Sequence, residues 1–438
     1  NGRYDAFEIH VLKMMKNCIL KLLVSLAFSA VPAVGEACTS MIISSRVTAD
    51  GRPLMFKHRD SSKKDVHVQY FHGPKFDFIG IADAGAEPGQ VWAGTNGSGF
   101  SIMNTASYNF KEDDIPDSKM NCEGVLMFEA LGRCRTVADF EHLLDTLPRP
   151  LRVEANFGVI DAEGGACYFE VNNTRYVKFD VNDEVASPYG YRIVTNYCLS
   201  GRREDDKGVE RQMTALEIMR PLLETDRKTD LTPQDIFSLL SRSYKNSFTG
   251  LDYVRDYRKL VSKKTGIAVD QDFIPRRSTS CSVVFHGVRP GSNPLSTVMW
   301  TVLGYPACAA AFPLMVGETD ILPDYVKPDA AGHSQLCDIA MDLKSENVFK
   351  WNVSNGSHYM DMESVVKGRD GRQSLLKCAN AADQDILREF APLYKKWEDG
   401  SIGDKEFFKA YYDKYYIFLH LYFINYKEYS LKITKLAQ

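Results

Sequence analysis

The sequence predicts a layered α+β fold with sheet packed on sheet. Two observations carry this. Strand-like and helix-like runs come in blocks, strands then helices then strands then helices, rather than in strict alternation. The strand runs are also short and separated by turn residues. A composition of 44% hydrophobic and 25% charged residues over 438 residues belongs to an ordinary globular chain, long enough for one large domain with a smaller appendage.

The elements follow in order. A β-rich run over 39–45, turn chemistry at Ala49-Asp50-Gly51-Arg52-Pro53 and a returning run over 54–58 predict a hairpin that starts at Cys38. Further strand runs lie at 67–71, 76–81, 99–104, 157–160, 167–171, 176–179 and 191–195, with Gly164-Gly165 turning between two of them. Helical periodicity marks 123–132 and 136–147, where Thr136 and Asp139 form a capping signal ahead of the stripe Val137, Phe140, Leu143, Leu144 and Leu147. Helices over 208–223 and 233–241 precede strands at 282–286, 298–303 and 309–316, and then helices near 334–344 and from Ala382 onward. The tail from Asp404 is rich in Tyr and Phe; its apolar stretch, 415–424, is too short to span a bilayer and reads as a helix packed on the body.

The beginning of the chain carries the functional signal. Lys13, Lys16 and Lys21 flank an apolar run over 19–34 that ends in Gly35-Glu36-Ala37, small residues at both positions read by a signal peptidase. Met14 or Met15 is the expected start, with 1–13 as upstream sequence, and the chain is expected to be exported to a periplasmic or extracellular location. Cleavage after Ala37 makes Cys38 the first residue. Of ten cysteines, nine remain once Cys18 leaves with the signal, an odd number that singles one out. The other eight are expected either to pair, most easily Cys122 with Cys134, or to be buried thiols.

Several function classes are excluded or disfavoured. With 53 basic and 57 acidic residues and a formal net charge of −4, no basic block tracks a phosphate backbone, so no nucleic-acid partner is expected. There is no His-Glu-x-x-His, Cys-x-x-Cys, P-loop or Gly-x-Ser-x-Gly pattern, and His58, His67 and His72 are not read as metal ligands. No metal and no organic cofactor is expected. A cysteine that becomes residue one carries its own base, because a free α-amine titrates near ~7.7–8.0 and sits beside the thiol it deprotonates. Attack on an amide then builds an oxyanion that asparagine amides on neighbouring strands can meet, and a carboxylate near the amine would orient it.

The stretches Cys38-Thr39-Ser40, Asp50-Gly51-Arg52-Pro53-Leu54, His58-Arg59-Asp60, Trp92-Ala93-Gly94-Thr95-Asn96 with Gly99-Phe100-Ser101-Ile102-Met103-Asn104, and Val194-Thr195-Asn196 resemble the cysteine N-terminal-nucleophile hydrolases. That group comprises choloylglycine hydrolases, penicillin V acylases and acyltransferases acting on isopenicillin N or 6-aminopenicillanate, and the acyltransferase-like branch resembles this chain most. The resemblance covers 38–317. It implies a four-layer αββα sandwich with a C-terminal helical extension: residues 1–37 removed, 38–320 the hydrolase domain, 321–438 the extension. It also implies Cys38 as nucleophile and base, Asp60 as the carboxylate that orients the amine, and Asn104 and Asn196 as oxyanion donors. Arg59 and one of the pair Arg276-Arg277 ahead of Ser278-Thr279-Ser280, with Arg277 taken first, are the candidate cations, with Lys57 and His58 standing where many bile salt hydrolases have Arg and Asn. The activity implied is hydrolysis of a linear amide C–N bond in a small N-acyl substrate through an acyl-thioester. An acyltransferase using the same acyl-enzyme, a cysteine dipeptidase and a non-catalytic lipid-anchored surface protein are the alternatives. No membrane span is expected after signal removal, and a homo-oligomer is left open.

Overall fold

A computed structural model describes residues 37–261, 265–270, 272–351, 359–430 and 433. The expected start and signal segment lie outside them, apart from Ala37. Two antiparallel sheets dominate. The first has six strands: β1 (Ala37–Ile43), β2 (Leu54–Asp60), β10 (Tyr191–Val194), β11 (Thr279–His286), β12 (Val298–Leu303) and β13 (Phe312–Leu314), in the order β10-β1-β2-β11-β12-β13. The second is a seven-stranded meander in chain order: β3 (Val66–Phe71), β4 (Phe78–Asp83), β5 (Ala93–Asn96), β6 (Ser101–Ala106), β7 (Ala155–Ile160), β8 (Ala166–Val171) and β9 (Tyr176–Asp180).

The sheets stack face to face. Ile42 and Met55 of one and Val68, Ile81, Met103 and Tyr168 of the other belong to one buried cluster, and Ser40 Oγ meets Tyr168 Oη at 3.0 Å across the gap. Helices α1 (Glu123–Arg133) and α2 (Val137–Thr146) cover the outer face of the meander through Leu126, Met127, Leu131, Phe140 and Leu144. Helices α3 (Val209–Leu223), α4 (Gln335–Asn347) and α5 (Leu375–Glu398) pack on the six-stranded sheet. The molecule is therefore an αββα sandwich, because each sheet carries apolar side chains on both faces and each needs a cover on its outer side.

Local chemistry explains the elements. Thr136 Oγ1 accepts from Asp139 N at 3.1 Å and Asp139 returns the bond to Thr136 N at 3.0 Å, closing the capping box read from the sequence. Among the departures from expectation, two have a plain physical cause. The strand β5 was not anticipated; its Gly94 offers no side chain to the β-pattern, and the structure shows why glycine stands there. A Cβ on Gly94 would lie 2.6 Å from Ile79 O and 2.6 Å from a Leu131 methyl, so only glycine lets α1 settle on the meander. Helix α5 begins at Leu375 rather than 382, with Ser374 Oγ capping Lys377 N.

The aromatic tail packs on the body. Helices α6 (Asp404–Asp413) and α7 (Tyr415–Tyr426) dock on α5 and on the segment after β12: Trp397 stacks on Phe407 at 4.0 Å, Tyr422 Oη donates to Cys308 O and Tyr426 Oη to Ala307 O. Among the described residues no helix is long and apolar enough to cross a membrane. Replacing Gly94 by Val is expected to overpack the α1 interface and cost ~1–3 kcal/mol of unfolding free energy, read as a lower denaturation midpoint.

Candidate functional site

The start of β1 sets the geometry. Pairing of β1 with β2 places Cys38 opposite Arg59, Thr39 opposite His58, Ser40 opposite Lys57 and Ala37 opposite Asp60. Side chains alternate along a strand. Because Ser40 reaches Tyr168 in the other sheet, Cys38, Arg59 and Lys57 share the face that looks into the gap between sheets, while Thr39, His58 and Asp60 face the helical layer. Cys38 is buried.

On the gap side, Arg59 makes a two-pronged contact with Asp83, Nη1 to Oδ1 at 2.8 Å and Nη2 to Oδ2 at 3.2 Å, and lies over the Trp92 ring at 4.8 Å. Trp92 Nε1 donates to the same carboxylate at 2.9 Å. Lys57 Nζ reaches two neutral acceptors, Trp92 O and, at 2.7 Å, Asn104 Oδ1. Asn104 thus spends its carbonyl on Lys57, and its Nδ2 donates to no described residue, which leaves an amide donor over inside the gap.

Asn196 follows the end of β10, where Asn156 Nδ2 holds the neighbouring carbonyls Thr195 O and Tyr197 O at 3.4 and 3.2 Å. Its Oδ1 accepts from Cys38 N at 2.8 Å and its Nδ2 donates to Ala106 O at 2.8 Å. One amide hydrogen is thus directed at a backbone carbonyl, and its oxygen holds the nitrogen of Cys38. Arg211, in the first turn of α3, donates to Asn196 Oδ1 at 2.8 Å, to Thr39 Oγ1 at 3.2 Å and to Cys38 O. Gly208 caps α3 at φ +81, and a Cβ there would run into the Arg211 guanidinium, so the left-handed glycine makes room for that approach.

Asp60 is fully buried on the helix side. Thr279 Oγ1 donates to its Oδ1 at 2.6 Å, and His58 Nε2 lies 3.4 Å away, with the other ring nitrogen on Ser282 Oγ at 2.8 Å. Arg276 Nε lies 3.1 Å from Oδ2 without hydrogen-bond alignment, so charge alone holds that pair and Oδ2 has no donor among the described residues. Burial pushes the Asp60 carboxyl up, but Arg276, His58 and Arg211 outweigh it and hold the group below the ordinary carboxylate value. Arg211 is itself shifted down by burial and by Arg276.

Cys38, Arg59, Asn104 and Asn196 are therefore brought together, with Asp60 one register step away on the opposite face. Of the candidate pair, Arg276 lies against Asp60, while Arg277 lines a separate cavity. The pair sits in an irregular lead-in to β11, where register shifts between Thr279 and Cys281, so alternation could not pick between neighbours. Arg211 and Asp83 were missed, since nothing in α3 or in β4 marks them locally, and Trp92 was read as part of a motif without a role of its own. His58, His67 and His72 go to separate partners, His67 to Gly332 O and His72 to Asp77. Among the remaining cysteines, Cys134, Cys167, Cys337 and Cys378 are buried free thiols whose pKa burial pushes up to about 12, so Cys122 and Cys134 do not close a loop.

No family model and no curated protein matches the chain. Among solved structures, an N-acylethanolamine-hydrolyzing acid amidase ortholog from Caenorhabditis elegans aligns at 12% identity and TM-score 0.40, over 57% of this chain and 92% of that one. A penicillin V acylase from Agrobacterium tumefaciens aligns at 11% identity and TM-score 0.37, over 65% and 87%. A mutant conjugated bile acid hydrolase from Clostridium perfringens gives 11% and 0.37, over 63% and 92%. At such values the side chains around Cys38, not the neighbours, have to carry any functional reading.

Asp60 supplies a pH test. Its folded pKa is depressed, so its stabilising contribution is present above the ordinary carboxylate range and is lost as pH falls below about 4. Asp60→Asn is expected to cost ~1–3 kcal/mol near neutrality by removing the carboxylate that buried Arg211 and half-buried Arg276 share with Glu210 and Asp272, and to flatten the acid limb of unfolding free energy against pH.

Proposed function

We propose that this protein is an exported amidase that cleaves a linear amide C–N bond with Cys38 as an N-terminal nucleophile. The observation that carries the reading is the 2.8 Å bond from the Cys38 nitrogen to Asn196 Oδ1: a side-chain acceptor, itself fixed by Arg211, is aimed at the atom that becomes the free α-amine once Ala37 is removed. Asp60 supports it. Its Oδ2 is buried, has no donor among the described residues and belongs to the residue paired with Ala37, where a new ammonium would find a carboxylate.

The chemistry then runs through this chain's own groups. The α-amine takes the thiol proton, and the sulfur forms a bond to the carbonyl carbon of a small N-acyl amide. Negative charge grows on the carbonyl oxygen, and Asn104 Nδ2, the donor left over by Lys57, is the group available to meet it, with the Lys57 and Arg59 charges in the same gap. The C–N bond breaks as the α-ammonium returns its proton to the leaving amine. Water, deprotonated by the α-amine, then attacks the thioester and releases the acid and the thiol. In this scheme Asn196 orients the amine instead of serving the oxyanion, and Arg276 and Arg211 keep Asp60 charged.

N-terminal sequencing of protein secreted from the full-length gene, with amine release from a panel of N-acyl amides, checks the reading. The mature chain is expected to begin at Cys38 with a free amine, and Cys38→Ala to abolish turnover. Asn104→Ala is expected to lower kcat by ~10²–10³. A chain beginning elsewhere, a blocked Cys38, or full turnover by Cys38→Ala sinks the proposal.

A further inference from the structure

Two buried guanidiniums of this molecule are neutralised head-on: Arg59 by Asp83 through two bonds, and Arg242 by Asp383 at 2.6 and 3.3 Å. Arg211 is just as buried and is held differently. Both of its Nη atoms go to neutral oxygens, Nη1 to Cys38 O and Thr39 Oγ1 and Nη2 to Asn196 Oδ1. Glu210 Oε1 lies 3.3 Å from its Nε without hydrogen-bond alignment. The charge of Arg211 is therefore directed at the backbone of Cys38 and at the side chain that holds the Cys38 nitrogen.

That placement bears on the nitrogen in two ways. A carbonyl oxygen accepts two hydrogen bonds; on Asn196 Oδ1 one comes from Arg211 and the other from Cys38 N, each at 2.8 Å. The oxygen has room for one N–H of an amine and not for a second. The guanidinium also stands one bridging atom from the nitrogen, within about 6 Å, where a like charge disfavours an ammonium.

The other charges that face this nitrogen set the balance. Asp60, paired in register with Ala37, favours the ammonium, and it is itself attended by His58 and by Arg276, which in turn meets Asp272. On the gap side Arg59 is matched by Asp83, and Lys57 lies on neutral acceptors. An amine that met Asp60 alone would be held as an ammonium to higher pH than an ordinary α-amine. A base works best with its pKa near the working pH, and Arg211 opposes Asp60 in the required direction.

We infer that Arg211 is a positioning residue for the reaction: through Asn196 and the Cys38 carbonyl, its charge keeps the α-amine neutral, and so able to take the thiol proton, at pH values where Asp60 alone would leave it an ammonium. The inference rests on the amidase reading of Cys38.

Asp270, which burial pushes up to about 6, titrates near the same pH range, so the amine has to be read directly. The mature chain is made with an initiator methionine ahead of residue 38 that is then removed, and carries Cys38→Ala so that no thiol competes for the label. Trace acetylation of the N-terminus against pH, quantified by mass spectrometry, gives the pKa of the α-amine. Arg211→Gln is expected to raise it by about one unit or more, and Arg211→Lys, which keeps the charge, to leave it near the parent value. Glu210→Gln, which takes an acid away from the guanidinium, is expected to lower it by about half a unit and decides the matter where Arg211→Gln does not fold. An unchanged amine in Arg211→Gln, an equal rise in Arg211→Lys, or no fall in Glu210→Gln overturns the inference. With Cys38 in place, the acid limb of kcat/KM for a neutral N-acyl amide is expected to move with the amine. A shifted amine in chains that hydrolyse no amide overturns the amidase reading and leaves the effect of Arg211 standing; hydrolysis with an unshifted amine does the reverse.

Discussion

The antiparallel pairing of β1 with β2 is the constraint on which the rest of the site depends. It fixes which side chains share a face, and a slip by one residue would exchange the faces of every one of them. With the observed register, the thiol of Cys38 lies in the gap between the sheets beside two cations, while Asp60 and His58 lie under the helices. The backbone of Cys38 lies in the plane of the sheet, with its carbonyl oxygen held by Arg211. Asn196, at the end of the neighbouring strand β10, reaches the Cys38 nitrogen from the side.

Holding cations in such a place is expensive, and the structure shows how each is compensated. Arg59 is neutralised by Asp83 and lies on Trp92. Lys57 is held by a carbonyl and an amide oxygen. Arg211 and Arg276 share the negative charge of Asp60 with Glu210 and Asp272 nearby. Buried ion pairs of this kind add little net stability compared with apolar packing. Their placement around one end of β1, while the remainder of the inter-sheet layer is packed with Met, Ile, Phe and Val, marks that end as the part of the fold kept polar.

The C-terminal helices serve the body of the molecule. Helix α5 lies along the six-stranded sheet, and the tyrosines of α7 put their hydroxyls on the carbonyls of residues 307 and 308. An aromatic stripe of this sort buries large area and still satisfies its polar tips, which is why a Tyr-rich tail can be core. Helix α4, from the same region, supplies Lys344 to the backbone of 277 and 279, so the extension also braces the strand that supports Asp60.

Much of this was legible in the sequence, for physical reasons. Short alternating runs with turn residues between them gave the two sheets, the Thr136–Asp139 box gave a helix start, and a cysteine behind a cleavage-like Gly-Glu-Ala gave the candidate nucleophile. Those signals are local: periodicity, capping and turn chemistry act within a few residues. Tertiary structure alone decided that Arg276 and not Arg277 meets Asp60, that Asn196 presents its oxygen to Cys38, that Arg211 locks both, and that Lys64 and Lys344, 280 positions apart, share one cavity. Each depends on register across a sheet or on the packing of a helix against it, and such long-range contacts leave no trace in the spacing of neighbouring residues.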